Sequence, residues 1–198
     1  MSFDFDESLQ YLFTSRVRLK ILELFVLHPE DRFYVREIVR KTDEEINAVR
    51  RELKRIHKIG LLRSEKRANR KYYQVKQDFR YYPELIRMLG KSSGLGGDIV
   101  TQQDSLGSIR YAILSLELLL GRKAKPHEVD LMIVGQVNTE QLKEIVKRAE
   151  ERYGHEINYT VMGRDEFKFR RQRRDQFVVQ ILTQPFVVLI GKEEELWL

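Results

Sequence analysis

Basic and amide side chains recur at helical spacing between positions 46 and 58. At about 100° per residue, one side of this stretch is apolar, with Ile46, Val49, Leu53 and Ile56. The other side and its flank carry Asn47, Arg50, Arg51, Lys54, Arg55 and Lys58. Asparagine can bridge an adenine edge, arginine can grip guanine with two hydrogen bonds, and both lysine and arginine bind phosphate. A helix divided in this way is typical of recognition in the major groove of DNA.

Position along the helix separates two roles for these side chains. Residues near the N-terminus of a recognition helix reach deepest, so we expect Asn47, Arg50, Arg51 and Lys54 to face base edges. Arg55 and Lys58 lie further along and are expected to contact the DNA backbone. A second basic group follows at the tip of a predicted hairpin, where it would reach the adjacent minor groove or the backbone. Its members are Lys66, Arg67, Arg70 and Lys71.

The charge of the chain is concentrated around this helix. The 198 residues include 36 Lys plus Arg and 30 Asp plus Glu, for a formal net charge of +6. Residues 46–76 alone contain eleven basic side chains and two acidic ones, Glu52 and Glu65. Such a local excess favours phosphate-bearing polymers or an anionic surface as partners. The alternative is a solvated helix face, but a solvated face would normally interleave more acidic residues.

The four histidines are far apart in the sequence and cysteine is absent, so neither a zinc site nor a cysteine nucleophile is expected. We predict no catalytic residue, no metal and no cofactor.

A second basic cluster lies near the C-terminus, in a stretch that also reads as helical. It contains Lys168, Arg170, Arg171, Arg173 and Arg174. Because Asp165, Glu166 and Asp175 are adjacent, a solvated surface is the first interpretation, and an additional phosphate contact is the alternative.

Composition limits the class of protein. At 42% hydrophobic residues the chain can form a packed core, which excludes global disorder. The apolar runs are shorter than the roughly 18 residues that a membrane span needs, and the acidic start lacks an apolar signal core. We therefore expect a cytoplasmic protein without a membrane partner.

The elements that would position the basic helix can be predicted from apolar spacing. A first helix begins near Thr14 or Ser15 and carries an apolar stripe, and a short second helix follows Phe33. Thr42 and Glu45 have the spacing of a capping box at the start of the third helix, which ends at Gly60. Strands are predicted at 61–66 and 71–75. This order predicts a winged helix-turn-helix domain over residues 1–91.

The second half predicts a different fold. Eight of the 17 residues between 92 and 108 are Gly or Ser, which indicates a linker. Beyond it, strands are predicted at 109–114, 129–134, 157–162 and 186–190, with helices at 139–153 and over most of 164–182. Alternating strands and helices favour a small α/β domain over residues 109–198. The fold class expected for the whole chain is a two-domain α+β or α/β protein.

Several segments are similar to a known family. They are Leu12–Arg18, Phe33–Ile38, Asn47–Leu53, Gly60–Leu62 and Arg70–Tyr73 in the first half, and Glu128–Gly135, Glu156–Asn158 and Val187–Gly191 in the second. The first set resembles prokaryotic winged-helix transcriptional regulators of the arsenic-repressor type. The second resembles a minimal nucleotidyltransferase domain of the polymerase-beta superfamily, which often follows such a winged helix. The resemblance also implies that part of residues 95–106 is a helical connector rather than a linker.

The resemblance carries an expectation about catalysis. Active members of that superfamily have a Gly-Ser pair about a dozen residues before their paired carboxylates. The resemblance implies that Glu128 and Asp130 correspond to the paired carboxylates and that Glu156 joins them. The three could together hold Mg²⁺, and carboxylates at the solvated ends of strands explain the same pattern equally well. Alignment on Asp130 puts Leu116 and Glu117 at the positions of the Gly-Ser pair. A carboxylate there would repel a triphosphate, so the resemblance implies a degenerate domain that is not an enzyme.

The function expected from the sequence is sequence-specific regulation of transcription on double-stranded DNA. A homodimer is expected, with the first helix and Tyr81–Leu89 as its apolar surface, and the second domain would serve dimerisation or bind a small-molecule or nucleotide effector or a partner. One alternative is a nucleotidyltransferase that the winged helix brings to RNA or protein. Another is a protein-interaction adaptor, which would leave the basic helix unused.

Overall fold

The chain divides into two compact units, with the boundary between Leu89 and Gly90. The computed structural model describes residues 7–123, 125 and 128–197. Both units mix helices with a small sheet, so the α+β class expected from the sequence is confirmed at that level. None of the described helices combines the length and the apolar character that crossing a membrane requires.

The first unit contains four helices, a short strand and a hairpin, followed by the helix that carries the boundary. In chain order they are α1 (Glu7–Leu12), α2 (Arg16–Val26), β1 (Phe33–Tyr34), α3 (Val35–Thr42), α4 (Ile46–Lys58), β2 (Leu62–Arg67), β3 (Arg70–Val75) and α5 (Tyr82–Ser92). The strands form an antiparallel sheet in the order β1-β3-β2. The predicted order of helices and hairpin is therefore confirmed.

Apolar residues of α2, α3 and α4 form the core of the first unit. Leu19, Leu24, Ile38 and Val49 are fully buried, as the 3.6-residue spacing of their helices predicts. Ser15 caps α2 by accepting a hydrogen bond from the backbone N–H of Arg18 at 3.2 Å, which confirms one of the two predicted caps.

The second unit is built on a four-stranded mixed sheet. Its elements are α6 (Gly94–Thr101), α7 (Gln103–Leu106), β4 (Gly107–Ser115), α8 (Leu116–Leu119), β5 (Leu131–Val137), α9 (Thr139–Tyr153), β6 (Tyr159–Met162), α10 (Arg164–Gln172), α11 (Gln176–Thr183), β7 (Phe186–Ile190) and α12 (Glu193–Trp197). The strand order is β6-β5-β4-β7. The β5–β6 pair is parallel, and β4 pairs antiparallel with both β5 and β7. The bounds predicted for α9 and β7 are confirmed.

The glycine-rich segment 92–108 is helical, and the interpretation as a flexible linker is wrong for it. α6 and α7 occupy most of this segment, and Leu95 and Ile99 are fully buried. A Cβ on Gly96 would clash with the carbonyl oxygen of Gly90. Glycine is therefore required here because two backbones approach closely, not because the chain must bend.

Candidate nucleic-acid interface

The turn between α3 and α4 sets where the basic helix begins. Asp43 has a left-handed backbone, with φ 51°, and ends α3. The carboxylate of Glu45 then accepts hydrogen bonds from the backbone N–H groups of Asn47 and Ala48, at 2.8 and 2.9 Å. The predicted capping box is wrong, because Thr42 is buried within α3 and its hydroxyl donates to the carbonyl of Ile38. A carboxylate at the positive end of α4 performs the capping instead.

The inward face of α4 contains an acidic residue that sequence reasoning missed. Glu52 is 5% exposed and lies beside the buried Leu53 and Ile56. Its carboxylate accepts from Arg18 Nε at 2.7 Å and from Arg55 Nη1 at 2.6 Å. Burial by itself would raise the pKa of Glu52, but the hydrogen bond and charge of Arg18, together with Arg55, lower it below the ordinary value. α4 is thus joined to α2 by an ion pair at the edge of the core.

The outward face of α4 presents the residues predicted to read bases. Asn47, Arg50, Arg51 and Lys54 are all exposed. Within the described chain, neither arginine nor Lys54 forms an ion pair with an acidic side chain. The Glu45 carboxylate attracts Arg50 and Arg51 only through space, and the three exposed cations have no hydrogen bond to an acidic side chain in the described chain, which suits groups that bind an external anion or base edge.

The two remaining candidates on α4 differ from each other. Lys58, in the last turn, is exposed and has no acidic partner among the residues described. Arg55 is also exposed, but one of its guanidinium nitrogens is held by Glu52. It can contact phosphate only with its remaining donors. The structure thus gives Arg55 a structural role that the sequence prediction did not include.

The hairpin brings like charges directly opposite one another. Cross-strand partners near its tip are Lys66 with Lys71 and Arg67 with Arg70, joined by a two-residue turn in which Ala68 has φ 48°. All four basic side chains are exposed. Like charges at directly opposite positions destabilise a sheet. An anion bound along the tip would offset the repulsion between these side chains.

Aromatic rings lie beneath two of these cations. The Arg70 guanidinium is 4.6 Å from the centre of the Tyr34 ring, and Lys71 Nζ is 5.2 Å from that of Tyr73. Cation–π contacts restrict long side chains without neutralising their charge. Arg70 and Lys71 are therefore partly preorganised as cations.

The third cation of the hairpin is neutralised inside the chain. Arg67 donates to both carboxylate oxygens of Glu65, at 3.0 and 3.1 Å, and Arg32 Nη1 lies 3.2 Å from the same carboxylate. The hydrogen bond from Arg67 is the main cause that lowers the pKa of Glu65. Glu65 is thus an internal competitor for any phosphate that Arg67 would bind.

Removing that competitor should strengthen binding to DNA. In Glu65→Gln, Arg67 and Arg32 lose a charged partner, and because an exposed pair is worth about 0–1 kcal/mol, we expect up to about a fivefold gain in affinity. The gain should be similar on specific and random duplexes, with a salt slope steeper by about 0.9 per added phosphate contact. Titration of labelled duplexes at several salt concentrations measures both. Glu140→Gln, which removes an exposed pair with Lys143, is the matched control and should change neither.

A buried amide side chain on β3 anchors the hairpin. Gln74 is 8% exposed; its Oε1 accepts from Arg32 and from Arg63 at 3.2 and 2.8 Å, and its Nε2 donates to the carbonyl of Pro29 at 3.0 Å. Sequence reasoning missed this residue because its three partners lie 11 to 45 positions away. Gln74 fixes β3 against the loop that precedes β1, and so fixes the hairpin on the first unit.

In the second unit, the structure does not gather the three acidic residues into a metal site. Asp130 is 1% exposed, Glu128 is partly buried and Glu156 is exposed. The Glu128 carboxylate already accepts a hydrogen bond within the chain: the backbone nitrogen of Lys125 donates to Glu128 Oε2 at 3.0 Å. Across the described ranges, no group of three or more His, Asp or Glu residues is arranged to hold a metal ion.

The positions aligned with the Gly-Ser pair start a short helix. Leu116 and Glu117 begin α8, and the Glu117 carboxylate lies 3.2 Å from Arg122. Ser115, the residue before them, accepts from the backbone N–H of Leu118 at 3.1 Å and so caps α8. The hydroxyl nearest to the aligned positions is thus used inside the fold, and the carboxylate of Glu117 is paired with Arg122.

Asp130 is a buried charge that should cost stability. Burial raises the pKa of its carboxyl above the ordinary value, and the 2.9 Å hydrogen bond from the Asn158 backbone N–H offsets only part of this effect. A raised pKa in the folded state means that Asp130 favours folding at low pH and that this contribution is lost as the pH rises through the folded value.

Asp130→Asn should therefore stabilise the protein at neutral pH. The amide keeps an oxygen to accept from Asn158 and removes the buried charge, so we expect a gain of about 1 kcal/mol. The gain should shrink as the pH is lowered and the wild-type carboxyl becomes protonated. Thermal unfolding at a series of pH values measures it. A destabilised variant at neutral pH would contradict the prediction.

Comparison with known proteins found no match to this chain. No protein family, no curated protein and no solved structure matches it.

Proposed function

We propose that this protein is a transcriptional regulator that binds specific sites on double-stranded DNA through a winged helix-turn-helix in its first unit. One observation carries the proposal: the outward face of α4 presents Asn47, Arg50, Arg51 and Lys54, and its three cations form no ion pair within the described chain. The order of three helices followed by an antiparallel hairpin supports it, since this arrangement can place α4 in the major groove. The hairpin then contacts the backbone or the adjacent minor groove.

Repulsion between like charges in the hairpin supports the same function. Lys66 faces Lys71 across the two strands, whereas the repulsion between Arg67 and Arg70 is offset in part by Glu65, which pairs with Arg67. A phosphate backbone along the tip would offset the cost and release counterions, which makes the affinity depend on salt.

A dimer on a two-fold related site would multiply the specificity of a single helix. The surface expected for it needs correction, because Ile86 and Leu89 of α5 are 4% and 0% exposed in the single chain. In the described part of the first unit, the large apolar side chains that remain exposed are Tyr11, Leu12, Ile59 and Tyr81. We propose that the dimer forms through these residues and that the second unit serves dimerisation or binds an effector or partner.

Genome-wide footprinting with the purified protein tests this function. We expect protected sites with pseudo-palindromic half-sites whose centres are about 34–36 Å apart, one helical turn of DNA. Light scattering at micromolar concentration should give a dimer. Random protection that does not depend on salt would contradict the proposal.

The competing function is transfer of a nucleotide to RNA or protein, and we predict that it is absent. A triphosphate must be neutralised by metal ions and N–H donors as charge moves to the leaving group. Glu117 occupies the position of the phosphate-binding hydroxyl, and the structure provides no three-ligand acidic group in the part it describes. Incubation with each labelled NTP, Mg²⁺ or Mn²⁺, and RNA or protein acceptors should show no transfer. Transfer that disappears in Asp130→Asn would establish the enzyme instead.

A further inference from the structure

The second basic cluster of the chain lies on α10 and on the turn that joins it to α11. Residues 164–182 are largely helical, as predicted, and Arg174, with φ 51°, lies in the turn between Gln172 and Gln176 that separates the two helices. The two helices pack against each other. Each contributes to the core of the second unit, α10 with Phe167 and α11 with Val178, so their other sides face solvent.

The cluster separates into neutralised and unpaired cations. Arg170 pairs with Glu166 at 2.9 Å and with Asp175 at 3.6 Å, and Arg171 donates to the carbonyl of Glu195. The acidic neighbours that suggested a merely solvated surface are thus largely used by one arginine. The cations that remain exposed, with no acidic partner in the described ranges, are Lys168, Arg173 and Arg174.

Two phenylalanines are exposed on the same pair of helices as these cations. Phe169 on α10 is 55% exposed and Phe177 on α11 is 38% exposed. The Arg173 guanidinium lies over the Phe169 ring, 4.5 Å from its centre. An exposed ring held against an unpaired cation combines the two groups, an aromatic face and a positive charge, with which proteins bind bases and phosphates.

We propose that this surface, defined by Lys168, Phe169, Arg173, Arg174 and Phe177, binds single-stranded nucleic acid. Aromatic rings stack on bases without regard to sequence, and neighbouring cations contact the phosphates between them. Bases paired within a duplex cannot stack on protein rings, which is why the single strand is the fitting partner. The surface belongs to the second unit and goes beyond the DNA-reading function proposed for α4.

Fluorescence anisotropy with labelled 12-mers of oligouridylate and oligodeoxyuridylate, which differ only in the 2′-hydroxyl, tests the proposal. The protein is the full chain carrying Arg51→Glu and Lys54→Glu, so that α4 cannot supply the binding. We expect saturable binding of a single strand, and weaker binding of a 12-base-pair duplex. Tighter binding of one of the two strands identifies whether the 2′-hydroxyl contributes. Failure of both strands to bind overturns the proposal without affecting the function proposed for α4.

Substitutions at the surface separate stacking from general attraction. Phe169→Leu keeps an apolar side chain but removes the ring, and should weaken binding by about tenfold, whereas Phe169→Tyr should retain it. The double variant Arg173→Gln, Arg174→Gln should have a salt slope smaller by about 1.4, because it loses two phosphate contacts. Lys147→Gln with Arg148→Gln, two exposed residues of α9, removes the same charge and should leave affinity nearly unchanged. Equal affinity of Phe169→Leu and its parent, or an equal loss in the α9 control, would refute stacking on this surface.

Discussion

The double variant Arg51→Glu and Lys54→Glu is expected to lose specific DNA binding, by at least about a hundredfold at physiological salt. Each well-placed contact to a base edge contributes about 1–3 kcal/mol of discrimination, and charge reversal adds repulsion from the phosphates. Both side chains are exposed and neither forms an ion pair in the described chain, so reversing their charge breaks no ion pair, although Arg51 lies within electrostatic range of Glu45. Gel-shift titration on the footprinted site measures the loss.

Single substitutions should distinguish the residues of α4 that contact base edges from those that contact phosphates. Arg51→Ala is expected to cost about 1–3 kcal/mol on the specific site and much less on random duplex, because a base contact carries the sequence information. Lys58→Ala should weaken both equally and reduce the salt slope by about 0.9, as loss of one phosphate contact does.

Reversal of two cations elsewhere is the control for net charge. Lys147→Glu with Arg148→Glu changes the total charge by the same amount on α9, and both residues are exposed. If that variant lost affinity as strongly as the α4 variant, the binding would reflect overall charge rather than a reading helix, and the proposed function would be wrong.

Local periodicity predicted the elements of this chain well. α9 has the predicted bounds because its apolar residues repeat at the helical period and Gly154 follows, and β7 because it is a continuous apolar run whose three central residues are buried. The ten candidate basic and amide side chains of α4 and the hairpin are all exposed, since a helical wheel already places those of α4 away from the apolar face and those of the hairpin lie at its tip. The order of apolar and polar residues along the local sequence is enough to predict these features.

Features that depend on distant parts of the chain could not be predicted in this way. Glu52 lies about 40° from Ile56 on the helical wheel, close to the apolar side, but an isolated acidic residue is normally assigned to solvent. Burial of the Glu52 carboxylate is tolerated because Arg18, 34 residues earlier in the sequence, donates a hydrogen bond to it. Composition likewise suggested a linker at 92–108, since it cannot show that Gly96 lies against the backbone of Gly90.

Glu52→Gln is expected to be the most destabilising conservative substitution in the first unit. Breaking a fully buried ion pair costs about 3–5 kcal/mol, because a charge is left without its partner. Here Arg18 and Arg55 are 31% and 63% exposed and can regain water, so we expect a smaller loss, about 2 kcal/mol. Urea unfolding, combined with hydrogen exchange of the α2 and α4 amides, measures the loss in the first unit. Glu140→Gln removes an exposed pair and should cost less than about 0.5 kcal/mol.

The pH dependence of this loss distinguishes an ion pair from simple packing. The pKa of Glu52 is lower in the folded state than its ordinary value, so the unfolded chain binds the proton more readily. The stability that Glu52 contributes is therefore complete above the ordinary glutamate pKa and disappears as the pH falls through the folded value. The difference between wild type and Glu52→Gln should narrow over that acidic range, while it stays constant near neutrality. A difference that persists unchanged at the lowest pH at which the protein still folds would show that Glu52 acts through its shape, and that the charge of Arg18 does not hold α4 against α2.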